Sequence, residues 1–189
     1  MKTRWMIRLC VVMGALLTAV AWAQELREVD YAKSGVRFVG KQMGVPAEGA
    51  FRRFTARVAF DPARPEQGRA EVEIDVGSAT VGDPEADAEL KRKAWFDTAH
   101  HPTAKFVSTG FRKISEGRYE ATGKLTIKGR TRDVVVNFTA KPASPGLELS
   151  GTLPIKRLDY GVGEGIWADT DTVANEVEIR FRLVLGPLR

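Results

Sequence analysis

The chain is short of the side chains that thiol and metal chemistry require. Its 189 residues include one cysteine, Cys10, and two histidines, His100 and His101, which are adjacent. A lone cysteine excludes an intrachain disulfide and a thiolate metal cluster. Adjacent residues of an extended segment point to opposite faces, so His100 and His101 make a poor ligand pair. With Asp97 they read as a polar turn ahead of Pro102, and no metal is expected. There is no Gly-x-Ser-x-Gly elbow, so a serine hydrolase is unsupported. The run Gly161-Val162-Gly163-Glu164-Gly165 lacks the strand–turn–helix setting of a nucleotide loop. Its glycines are expected to serve unusual backbone angles in a loop at the rim of the fold. No catalytic residue and no cofactor are expected.

Long hydrophobic runs are also scarce. One, from Leu9 to Ala21, follows Lys2, Arg4 and Arg8 and precedes Ala21-Trp22-Ala23. That is the layout of a cleaved secretory leader, residues 1–23, with Gln24 as the first mature residue. The run is shorter than the roughly 20 residues that span a bilayer, so no membrane anchor is expected once the leader is gone. An excess of positive charge is missing too. The formal net charge is +5, and losing the three leader cations leaves 26 Lys+Arg against 24 Asp+Glu, or +2. Nucleic acid, which demands a concentrated basic face, is not an expected partner. Residues 24–189 suffice for one domain with a sizeable core.

What the chain does have is alternation. Ala70, Val72, Ile74 and Val76 alternate with Glu71, Glu73 and Asp75. Tyr119, Ala121, Gly123, Leu125 and Ile127 form a second row, Leu147 to Ile155 a third and Val177 to Leu185 a fourth. Val36 with Phe38, Phe54 to Phe60, Phe106 with Ser108, and Val134 to Phe138 complete the set. Period two marks strands with one face in a core and the other in water, about eight of them. Breaker-rich turns at 61–68, 116–117, 128–129 and 142–146 predict antiparallel neighbours, and so a barrel or a sandwich. One short helix interrupts them, with Asp83 as its N-cap, Pro84 at its first position, and Lys91, Arg92 and Lys93 at its end.

Several segments carry a family likeness. Gly49-Ala50-Phe51-Arg52-Arg53-Phe54 is followed by Trp95-Phe96-Asp97 and by His101-Pro102-Thr103-Ala104-Lys105-Phe106. Gly123-Lys124-Leu125-Thr126-Ile127-Lys128-Gly129-Arg130-Thr131 and Arg157-Leu158-Asp159-Tyr160-Gly161-Val162-Gly163 come next. In this order, from about Ser34 to Leu185, the chain resembles the YceI-like family of periplasmic polyisoprenoid-binding proteins. The resemblance implies an all-β, antiparallel, lipocalin-like barrel and selects barrel over sandwich. It also implies a periplasmic protein that sequesters or carries a polyisoprenoid lipid, either a polyprenyl phosphate or a long-tailed quinone. The chain departs from the family at Lys33-Ser34 and at Gln42-Met43-Gly44-Val45, where many relatives carry histidines, so no head-group role passes to those positions.

On this reading the interior would be lined by Phe38, Phe51, Phe54, Ile74, Trp95, Phe96, Phe106, Leu125, Phe138, Leu153, Trp167 and Phe181. An eight-stranded barrel is just wide enough to be filled by side chains or to hold one slender ligand. Small inward residues such as Gly123, Gly151, Ala56, Ala70 and Ala121 would leave a lengthwise gap if they align. Arg157, Asp159, Lys41 and Arg53 are candidates for a mouth that meets the lipid head. The competing reading is a solidly packed barrel that acts as an envelope protein-interaction module. A third is an enzyme on an isoprenoid with Asp97, His100 or His101 as acid or base. The doubly apolar Val134-Val135-Val136 hints at a homodimer contact.

Overall fold

A computed structural model describes residues 25–144 and 146–188; the expected leader lies outside the described residues. Ten strands follow one another: β1 (Gly35–Gln42), β2 (Val45–Phe51), β3 (Phe54–Ala59), β4 (Arg69–Asp75), β5 (Ala79–Thr80), β6 (Thr103–Ser115), β7 (Arg118–Ile127), β8 (Arg130–Pro142), β9 (Leu147–Lys156) and β10 (Glu176–Leu185). Helix α1 (Pro84–Leu90) lies between β5 and β6. All ten strands pair antiparallel in one sheet, in the order β3-β4-β6-β7-β8-β9-β10-β1-β2-β5.

The count corrects the eight strands read from the alternation. The additional ones are β2 and β5. Strand β2, Val-Pro-Ala-Glu-Gly-Ala-Phe, has no apolar alternation because most of it is exposed and it packs chiefly against β1. Its Pro46 is tolerated because one side of β2 is a sheet edge. Strand β5 is only two residues long.

Elsewhere the alternation becomes burial. On β7, Tyr119, Ala121, Gly123, Leu125 and Ile127 are all buried. On β8, Val136 turns inward while Val135 is 48% exposed, which settles the face of that apolar triplet. The β7–β8 hairpin closes through Lys128 and Gly129, both left-handed (φ 49° and 72°), as a two-residue turn of matching twist requires. Asp83 caps α1, its Oδ1 accepting from the N–H groups of Glu85 and Ala86 at 2.9 Å each.

The sheet curls strongly into a half-barrel, and the β1–β2 pair comes beside β3 along a seam that no strand ladder closes among the described residues. The chain crosses this seam at Arg52-Arg53, where Arg53 N–H donates to Ser78 Oγ (3.0 Å) and Asp75 N–H to the Arg53 carbonyl (3.1 Å). It is also bridged by the segment ahead of β1, since Arg27 pairs with Val58 of β3 and Val29 with Leu185 of β10. Arg27 is 9% exposed, and its guanidinium donates to the carbonyls of Phe60 and Gly186. One part of the interior is plugged by rings: Phe60, fully buried, sits 5.1–5.6 Å from Phe111, Tyr119 and Phe138.

Candidate functional site

Beside this plug the inner face of the curled sheet lines a cavity of ≈ 150 Å³ with apolar walls. Of the residues expected from sequence to line an interior, Phe51, Ile74, Phe96, Phe106, Leu125, Phe138, Leu153 and Phe181 do so. They arrive from seven strands and from the turn after α1, because the curled sheet turns one face inward. Lys105 also contributes to the wall, with its ammonium held by Glu71 and, at 3.0 Å, by Glu73; these hydrogen bonds raise its pKa.

Phe111 joins the cavity wall although its place in the alternation does not predict it. Strand β6 slips register between Ser108 and Gly110 and again between Lys113 and Ser115. The first bulge switches the parity of the strand, so Phe106 and Phe111 both line the cavity although one number is even and the other odd. Gly110 within the strand is the signal that could have revealed it.

The glycines expected to leave a lengthwise gap do not. A Cβ on Gly123 would lie 2.5 Å from the Phe106 ring, and one on Gly151 would lie 2.9 Å from the Phe181 ring. Each ring lies over a glycine of a neighbouring strand and takes up the space the missing side chain leaves. The same holds for Phe38 over Gly49. Phe38 itself stands outside the cavity wall, 5.2 Å from the Phe51 ring.

The two tryptophans form a separate cluster. Trp95 and Trp167 have ring centroids 5.5 Å apart, and the Trp167 indole N–H donates to Glu89 of α1 at 3.1 Å. Over Trp95, at 5.9 Å from the ring centroid, lies the Arg157 guanidinium. Arg157 is 2% exposed and does not face a mouth, which corrects the sequence reading. Its Nε donates to the Ala174 carbonyl, Nη1 to Val162 and Gly163, and Nη2 to Trp167 and Val173, at 2.7–3.0 Å. All five guanidinium donors are thereby used on the backbone of the loop between β9 and β10, and none remains for a lipid head. Burial lowers its pKa from the usual arginine value, and the carbonyl dipoles around it replace water. Gly163 is left-handed (φ 77°), and a Cβ there would meet Arg157 Nη1 at 2.2 Å, so the glycine serves both the turn and the arginine.

Asp159 and Lys41 are exposed near the same loop, Lys41 through its carbonyl, which accepts from Ala174 N–H at 2.9 Å. Nearby, Lys128 Nζ donates to the carbonyls of Lys93 and Gly161 and to Glu164, and Arg130 reaches the other oxygen of Glu164. The Lys128 hydrogen bond, above all, holds the Glu164 carboxyl below its ordinary pKa. His100 Nδ1 lies 2.9 Å from Asp97 Oδ1, whereas His101 packs on Gly129, so the two rings part as expected for adjacent residues.

Arg53 stands apart from the other candidates, on the seam, where it grips Asp75 through Nε (2.9 Å) and Nη2 (2.7 Å). A groove of ≈ 850 Å³ runs along this seam between the start of β1, the end of β2 and the start of β3. Phe54, expected inside, lines this groove instead. Its ring is 5.4 Å from Tyr31, whose hydroxyl accepts from Ala56 N–H at 3.2 Å and so spans the seam. Val36 and Phe51 line both the groove and the internal cavity.

Fold and site together define an all-β protein whose single curled sheet is wrapped around an apolar interior. Residues 28–185 match the YceI-like domain, and the chain belongs to that family. A UPF0312 protein of Pseudomonas syringae pv. tomato is 33% identical over 132 residues, covering 66% of this chain and 69% of its own. The crystal structure of Burkholderia cenocepacia BcnA superposes with a TM-score of 0.81 at 46% identity, over 82% of this chain and 98% of that one. A polyisoprenoid binding domain from Saccharophagus degradans, implicated in plant cell wall breakdown, matches with a TM-score of 0.65 over 84% of this chain and 97% of its own. At 16% identity this last likeness is one of fold.

Proposed function

We propose that this chain is a non-catalytic binding protein of the periplasm that holds the tail of a polyisoprenoid lipid inside its curled sheet, lipocalin-like. The lipid is a polyprenyl phosphate or a long-tailed quinone, and the protein sequesters or carries it. One observation carries the reading: an internal cavity with apolar walls, in a chain of the YceI-like family whose fold a polyisoprenoid binding domain shares. Such walls favour a hydrocarbon and supply nothing to a polar solute. Each buried methylene-sized group is worth about 0.8 kcal/mol, so one five-carbon isoprene unit contributes about 4 kcal/mol.

Size sets the mode of binding. A cavity of ≈ 150 Å³ has the volume of an engineered one that accepts benzene, enough for roughly one isoprene unit. A longer tail must displace interior side chains, and the rings of Phe106 and Phe181, which stand on glycines rather than interlocking with larger side chains, are the ones placed to yield. The same modest volume also favours a second reading, a packed barrel that acts through its outer surface as an envelope protein-interaction module.

Uptake in solution separates the two. Titrating the purified mature protein with a long-chain prenyl alcohol, and with an unbranched alcohol of equal carbon number as control, should give saturable one-to-one binding that favours the prenyl chain. No uptake of either would leave the packed module as the function.

A further inference from the structure

We infer that the seam groove is the site of an anionic, phosphate-class head group whose hydrocarbon tail lies in the internal cavity. The inference rests on the lipid-binding reading above and adds to it where the head sits and which charge it carries.

The groove and the cavity share Val36 and Phe51, so a molecule lying across those two side chains has one part among apolar walls and the other in a polar, open channel. Toward Phe60 the interior is packed with rings, and Arg157, the buried arginine of the β9–β10 loop, has every donor spent on backbone.

The charges lining the groove are Arg37, Arg52, Arg53, Glu73 and Asp75. Asp75 is taken by Arg53 in a two-pronged pair, and Glu73 by Lys105. That leaves Arg37 and Arg52, both exposed, with no carboxylate within ion-pair distance among the described residues. Arg52 makes one long hydrogen bond, 3.4 Å, to Thr80, and acts on Asp87 only at a distance. Arg37 pairs across the ladder with Ala50 on β2, and Arg52 follows the end of that strand, so the two arginines line the groove from adjoining positions in the β1–β2 pair. A net positive groove with forked donors suits a phosphate, which accepts two parallel hydrogen bonds from one arginine. An uncharged quinone head gains little there.

The test uses the whole mature protein and three probes: a prenyl monophosphate, the matching prenyl alcohol, and inorganic phosphate. Wild type should bind the monophosphate at least about tenfold more tightly than the alcohol at low salt, equivalent to roughly 1.4 kcal/mol. Added salt should shrink that preference, since the groove is open to solvent. In the double variant Arg37→Gln/Arg52→Gln the preference should vanish while alcohol affinity stays unchanged, which also shows that the variant is folded. Inorganic phosphate at matched concentration should not displace the lipid. Equal affinities for phosphate and alcohol in wild type, or a preference that survives the double variant, would refute the head-group site and leave tail binding standing. Displacement by inorganic phosphate would make the groove a site for the free anion and refute the lipid assignment. Failure of every prenyl probe to bind would bring down the lipid reading and the head-group site together.

Discussion

The Arg157 guanidinium lies over the Trp95 ring, 5.9 Å from its centroid, and between them the two residues hold the loop joining β9 to β10. The arginine fastens five carbonyls of that loop and its flanks, while the Ala94 carbonyl beside Trp95 accepts the N–H groups of Gly163 and Glu164 at 2.8 Å. Replacing Arg157 by methionine keeps the stem and strands those carbonyls. The expected loss is about 3 kcal/mol or more, read from the urea midpoint. Arg157→Lys should not restore it, because an ammonium has three donors at one point rather than a five-donor fork. Full rescue by lysine would contradict the role assigned here.

Filling the cavity should separate binding from stability. Ala121 is buried and lines the cavity, so Ala121→Leu projects into space that is already present. Thermal stability should hold or rise, within about 1 kcal/mol, while uptake of a prenyl alcohol drops at least tenfold. Unimpaired uptake would mean that the tail lies elsewhere.

The ring-on-glycine pairs make a graded prediction. At Gly49 the nearest obstacles to a new Cβ are all atoms of the Phe38 ring, whereas at Gly123 they include the Val107 carbonyl at 2.6 Å. A side chain can swing away and a strand backbone cannot. Gly123→Ala should therefore cost about 1–3 kcal/mol and Gly49→Ala clearly less, by urea denaturation of both variants.

Acid should loosen the loop that carries Glu164. Its carboxyl is held below the ordinary value, so the unfolded chain binds the proton more readily than the folded one. Its contribution is therefore complete above the ordinary carboxylate range, near pH 4.3, and fades as pH falls through the lower folded value. Glu164→Gln should make the decline of stability below about pH 4 shallower than in wild type, measured as melting temperature against pH. Its side chain is 45% exposed, so salt should narrow the difference.

Much of this architecture was legible as a pattern of alternation. Strand β7 could be read residue by residue because it has no irregularity and one fully buried face. Asp83, followed by Pro84, gave the start of α1 for the same reason: the cap is local. What stayed hidden depended on partners distant in the chain. Strand β2 has almost no buried face of its own, and β6 changes parity at a bulge, which concealed Phe111. Arg157 sits in a polar-looking segment and gives no hint in sequence that five carbonyls from residues 162–174 converge on it. Gly123 and Gly151 looked like gaps because their neighbours across the ladder, and the rings lying over them, are set by register alone.

The most direct measurement is native mass spectrometry of the mature protein purified gently from a Gram-negative periplasm, followed by denaturing extraction of whatever it carries. The account predicts a one-to-one adduct whose released lipid shows the mass ladder of repeating isoprene units. A protein that flies at its bare mass, and stays so after incubation with a long-chain prenyl lipid, would contradict it.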